Sequence, residues 1–123
     1  MNATQAVVAI VDDDAAVCRA LRRLVLSLGH QATTFSNGQD LLEGLDATPP
    51  THILLDLHMP GLHGPMLLEK IRARTTDARV VVMTGLEMAG AREASLAAGA
   101  DLFIRKPLTP ADLHRILGAA LLD

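Results

Sequence analysis

Val7 to Val11 is an unbroken apolar run, and it ends in three consecutive acids, Asp12, Asp13 and Asp14. The pattern recurs at Ile53-Leu54-Leu55, which runs into Asp56. Two later runs also end in polar chemistry, Val80 to Met83 before Thr84 and Leu102 to Ile104 before Lys106. Short continuous apolar runs mark strands buried on both faces, as in parallel sheets. Ligands in open α/β sheets bind just beyond the carboxyl ends of such strands. Carboxylates, a hydroxyl and an ammonium are therefore expected at one edge of one sheet. Two like charges ~4 Å apart cost about 4 kcal/mol at an effective dielectric of about 20. A gathering of acids there implies a cation that belongs with them.

Helical patterns separate the runs. Val17, Leu21, Leu24 and Leu28 follow helical spacing and are closed by Gly29. Gln31 to Phe35 reads as a second strand, and Ser36 with Gln39 resembles a capping box opening a helix through Leu45. His52 to Leu55 is a third strand, and Gly64-Pro65 starts a helix carrying Leu67, Leu68 and Ile71. Arg79 to Met83 is a fourth strand. Met88 to Ala98 reads as an Ala-rich helix ending at Gly99, with Gly90 weakening it from inside. Asp101 to Arg105 is a fifth strand. Thr109-Pro110 opens the last helix, with Asp112 completing a capping box and Leu113, Ile116, Leu117 and Leu121 on one face. This strict alternation predicts an α/β fold, a doubly wound parallel sheet of flavodoxin-like (βα)5 type with strand order 2-1-3-4-5. Its switch point lies between strands one and three, where Asp12, Asp13 and Asp56 stand.

Composition narrows the function. At 123 residues the chain reads as one domain over 1–123, with residues 1–6 a disordered or extended tail. The net charge of −3 gives no reason to expect direct nucleic-acid or anionic-membrane contact. No apolar stretch is long enough to span a bilayer, and no secretory signal opens the chain. Lone Cys18 fits a reducing compartment and is expected to pack as a small residue beside the first helix.

Val11-Asp12-Asp13-Asp14, Leu55-Asp56-Leu57-His58-Met59-Pro60-Gly61, Met83-Thr84-Gly85 and Phe103-Ile104-Arg105-Lys106-Pro107 together carry a resemblance. The chain resembles the receiver domain of bacterial two-component response regulators over essentially its whole length. The resemblance implies a cytoplasmic signalling switch that takes a phosphoryl group from a phosphohistidine on a sensor histidine kinase or histidine phosphotransfer protein. It implies Asp56 as phosphate acceptor and Mg²⁺ held by Asp12, Asp13, Asp56 and the carbonyl of His58. Lys106 pairs with the phosphoryl oxygens, Thr84 donates its hydroxyl to one of them, and Phe103 fills the aromatic switch position. The Lys106-Pro107 bond is expected to be cis. The fourth helix, fifth strand and last helix form the expected output face, open to homodimer formation. His58 and Leu86 occupy positions that tune phosphoryl lifetime in the family. His58 is expected to touch the phosphoryl group or its attacking water, and apolar Leu86 to exclude water and lengthen that lifetime.

The physical chemistry agrees with these roles. Mg²⁺ prefers carboxylate oxygens and retained waters at phosphoryl sites. Phosphoryl transfer between anions depends on positioning and charge neutralisation, and an aspartyl carboxylate is an established type of nucleophile. Three simpler or different readings stand beside this one. Asp14 suits a plain helix cap. Asp12-Asp13-Asp14 also matches the start of haloacid-dehalogenase-like phosphatases, with Asp12 as nucleophile and only Asp112 to supply a later acid. A receiver-like interaction module that works unphosphorylated is the third. Paired with Asp56, His58 and His63 raise a transition-metal site, which the hard-cation donors of the other acids disfavour.

Overall fold

The computed structural model describes residues 5–59, 64–75, 77–85 and 89–121. His63, Leu86 and Met88 lie outside them. Ten elements alternate: β1 (Val7–Val11), α1 (Ala15–Ser27), β2 (Gln31–Phe35), α2 (Gly38–Gly44), β3 (His52–Asp56), α3 (Gly64–Arg74), β4 (Arg79–Thr84), α4 (Ala91–Ala97), β5 (Leu102–Arg105) and α5 (Pro110–Leu121). The strands form one sheet in the order β2-β1-β3-β4-β5. Every neighbouring pair is parallel. This is the flavodoxin-like topology expected from the alternation.

Side-chain alternation along the central strands divides the core in two. Ala9, Val11, Ile53, Leu55, Val80 and Val82 pack with residues of α2 and α3, including Leu41, Leu67 and Ile71. Val8, Ile10, Leu54, Val81 and Met83 pack with residues of α1 and α5, including Leu21, Leu113 and Leu117. With both faces covered, all of β3 is buried, which is why its sequence reads as a continuous run. Cys18 packs where expected, buried against the α1–α5 face, and its thiol donates to the carbonyl of Asp12 at 3.2 Å.

Helix ends follow their local chemistry. The Asp14 carboxylate accepts from the amides of Ala16 and Val17 and caps α1. Gly29, at φ +90°, ends the helix, with the amides of Gly29 and His30 donating to the carbonyls of Leu26 and Val25. Thr109 and Asp112 exchange side-chain-to-amide bonds of 3.0 Å each, the expected capping box. Two expectations need correction. The cap of α2 is Asn37, whose side chain accepts from the amide of Asp40. The box lies one residue beyond the Ser36–Gln39 pair because Ser36 still belongs to the chain leaving β2. Likewise α4 is helical only from Ala91, and Gly90 is its N-cap at φ +81° rather than an interior residue.

Arg72 fastens α3 to the end of α4. Its guanidinium donates to the carbonyls of Gly99 (2.9 Å) and Ala78 (2.6 Å) and to the Asp101 carboxylate (2.7 Å). Gly99 takes φ +122°, and a Cβ there would meet the Arg72 side chain at 2.7 Å. Gly99→Ala therefore combines a disfavoured backbone with displacement of a triply bonded side chain. It is expected to cost about 2 kcal/mol, read as a lower urea midpoint by circular dichroism. A midpoint within error of the parent contradicts this.

The opposite end of the sheet holds two buried histidines. The Ala6 amide donates to His30 Nδ1 at 2.8 Å, and His52 Nδ1 lies 2.8 Å from the Thr51 hydroxyl. Burial lowers the pKa of both rings from 6.5, helped at His52 by the charges of Arg79 and His30. The unfolded chain therefore binds more protons than the folded one once pH falls below about 6.5, and stability falls with it. The urea midpoint is expected to drop between about pH 7.5 and pH 5. His52→Asn keeps a polar partner for Thr51 without the titrating ring, so its midpoint should respond less. Identical pH profiles for the two proteins contradict this assignment.

Candidate functional site

β1, β3 and β4 deliver the predicted site residues to one edge of the sheet. Asp12 follows the last residue of β1, whereas Asp56 and Thr84 are themselves the last residues of β3 and β4. The register pairs Val11 with Leu55 and Asp56 with Met83, so the tips lie side by side. Asp12 and Asp56 are buried (1% and 5% exposed), while Asp13 is exposed. One carboxylate oxygen from each of Asp12, Asp13 and Asp56 falls within 4.8 Å of the other two.

Lys106 answers this charge. It follows β5, and its amide donates to the Thr84 carbonyl at 2.7 Å, which fixes where its side chain starts. Nζ lies 2.7 Å from Asp12 Oδ2 and 3.6 Å from Asp56 Oδ1. Lys106-Pro107 is the cis peptide bond expected from the sequence. Burial works against the ammonium, but hydrogen bonding to Asp12 and the charges of Asp56 and Asp12 outweigh it and hold its pKa above the ordinary value. Asp56 has its pKa raised from its ordinary value, first by burial and then by neighbouring Asp12 and Asp13, against the opposing His58 amide and Lys106. One lysine thus leaves three gathered carboxylates short of positive charge.

The donor set suits a hard divalent cation. All three side chains offer oxygen, and buried Asp12 Oδ2 faces the Lys106 ammonium at 2.7 Å. Mg²⁺ matches such ligands, with waters and a phosphoryl oxygen completing its shell. The other Asp12 oxygen is engaged, accepting from the Asp14 amide at 2.9 Å.

His58 sits in the loop after β3, its amide donating to Asp56 Oδ1 at 3.1 Å. Its ring Nε2 lies 2.7 Å from the Thr84 hydroxyl. Phe103 is half-buried and packs against the α2–α3 core. Asp112, the acid a dehalogenase-like phosphatase would need, is occupied at the start of α5 by Thr109 and Arg115. No metal cluster including His58 occurs among the described residues.

Comparison with known proteins gives a consistent result. The family model described as the response regulator receiver domain matches residues 8–118. The DNA-binding transcriptional regulator NtrC of Escherichia coli (strain K12) is 35% identical over 101 residues, 82% of this chain and 22% of that protein. The transcriptional regulatory protein PrrA of Mycobacterium leprae is 35% identical over 106 residues, 86% of this chain and 46% of that protein. The chain thus spans less than half the length of these two curated relatives. The crystal structure of a response regulator receiver protein from Burkholderia phymatum superposes with a TM-score of 0.79 at 39% identity, covering 95% of each chain.

Proposed function

The chain belongs to the response regulator receiver domain family, and from that premise we propose that Asp56 is its phosphate acceptor, in a reaction requiring Mg²⁺ at Asp12, Asp13 and Asp56. Phosphoryl acceptance on an aspartate is the general function of the family, and a receiver domain is a signalling switch. The observation that carries the assignment is the convergence of three carboxylates and Lys106 at the tips of separate strands.

The family implies a sensor kinase or phosphotransfer protein as donor. An oxygen of Asp56 attacks the phosphorus of a phosphohistidine. The P–N bond breaks, and its electron pair stays on the imidazole, which takes up a proton. A new P–O bond forms on Asp56, balancing the transfer. Asp12, Asp13, Asp56 and the His58 carbonyl would hold Mg²⁺, which would supply the positive charge that lets two anions approach. Lys106, already placed between Asp12 and Asp56, pairs with the transferred group. Thr84 donates its hydroxyl to a phosphoryl oxygen. The phosphoryl group brings nearly two negative charges to a confined site, and Phe103 and α4 are the elements positioned to respond.

The α4 segment suits an output role. Of its described residues only Ser95 is fully buried, so little apolar area anchors it. Leu96 and Leu102, on α4 and β5, are exposed at 38% and 40%. We assign homodimer formation to this face and place the domain in the cytoplasm. No helix of the described residues is long and apolar enough to cross a membrane. Intact-mass measurement after incubation with acetyl phosphate tests the function: a single phosphoryl adduct is expected with Mg²⁺ and none in chelator. No adduct under either condition would favour an interaction module that works unphosphorylated.

A further inference from the structure

The contact between the His58 ring and the Thr84 hydroxyl has no part in the chemistry just described. Nε2 and Oγ1 are 2.7 Å apart, and Thr84 is fully buried. The two residues stand 26 positions apart and meet because β3 and β4 are adjacent. The same His58 donates its amide to Asp56 Oδ1. One residue therefore grips the acceptor carboxylate through its main chain and the neighbouring hydroxyl through its side chain.

A hydroxyl has one proton to donate, and phosphoryl oxygens only accept. Thr84 cannot give that proton to a neutral imidazole and to a phosphoryl group at once. We propose that His58 is a positioning residue that latches Thr84 in the unphosphorylated conformation, with the hydroxyl donating to Nε2, so that phosphoryl capture must displace the imidazole. The proposal rests on the reading of Asp56 as acceptor. Its consequence is that the free energy of one hydrogen bond is subtracted from the gain on phosphorylation. His58 then sets how completely the domain switches, separately from any effect on hydrolysis.

The test uses beryllofluoride, a tetrahedral phosphoryl mimic, titrated in Mg²⁺ and followed by NMR. His58→Ala removes the imidazole acceptor and is expected to bind the mimic on the order of fivefold more tightly, the size of one net hydrogen bond. His58→Gln retains a side-chain acceptor and should stay near the parent. In a Thr84→Ala background, His58→Ala should change nothing further. In the free protein, long-range ¹H–¹⁵N spectra should show Nε2 of His58 without a proton. Unchanged or weaker binding by His58→Ala overturns the latch, as does a protonated Nε2. If the parent itself fails to bind the mimic in Mg²⁺, the acceptor assignment fails and takes the latch with it.

Discussion

Asp56→Asn is expected to take up no phosphoryl group from acetyl phosphate and Mg²⁺, and in chelator to melt higher than the parent. Both results follow from one placement. Asp56 is buried beside Asp12 and Asp13, and burial followed by those charges raises its pKa. A carboxylate with a raised folded-state pKa weakens the fold at neutral pH, and the penalty disappears as pH falls through that pKa. Asparagine removes the charge at every pH. Its carbonyl can still accept from the His58 amide, and Lys106 keeps Asp12. The gain is expected to be about 1 kcal/mol, or about 4 °C in melting midpoint. The same variant lacks the proposed nucleophile, so the adduct is expected to be lost completely. A variant that melts lower than the parent in chelator contradicts the electrostatic account, and one that still forms the adduct contradicts the assignment of the acceptor.

Lys106→Met has the opposite sign. The Asp12 side chain is 0% exposed, and Lys106 Nζ is its ion-pair partner at 2.7 Å. Removing one member of a buried pair leaves a charge with neither water nor counterion. Because Lys106 itself retains 22% exposure, the cost is set below that of a fully buried pair, at about 2 kcal/mol in chelator. That corresponds to a midpoint lower by roughly 8 °C. If Mg²⁺ binds the folded site as proposed, it would supply the missing charge and is expected to raise the midpoint of Lys106→Met more than that of the parent. Circular dichroism melts with Mg²⁺ and with chelator measure both, since the chain has no tryptophan. Equal shifts in the two proteins would mean that lysine and cation do not serve the same carboxylates.

Much of this was legible in the sequence because the signals are local. Strands buried on both faces must be apolar throughout, so β1, β3 and β4 stand out without knowledge of their partners. Right-handed crossovers and alternation then limit the topology. The acids and Thr84 need only be strand tips to meet. Asp14, Gly29 and the Thr109–Asp112 pair announce helix ends through chemistry confined to a few residues. At the start of α2 two capping-competent residues, Ser36 and Asn37, sit side by side and tertiary placement chooses between them, whereas at α4 the positive φ of Gly90 sets the boundary. What escaped the sequence depends on contacts between distant segments. Arg72 reaches Gly99 and Asp101 across 27 and 29 positions, and Ala6 finds His30 across 24. The ring of His58 meets the Thr84 hydroxyl across 26 positions, through the placement of β3 beside β4.

The central claim is that separate strand tips form one cation-assisted site at which Asp56 carries the phosphoryl group. It is tested most directly by mapping the modified residue. The protein is treated with acetyl phosphate and Mg²⁺, reduced with borohydride to convert the acyl phosphate to homoserine, digested and sequenced by mass spectrometry. Homoserine at position 56 alone is the predicted result. Homoserine at position 12 or 13, with Asp56 unmodified, would contradict it.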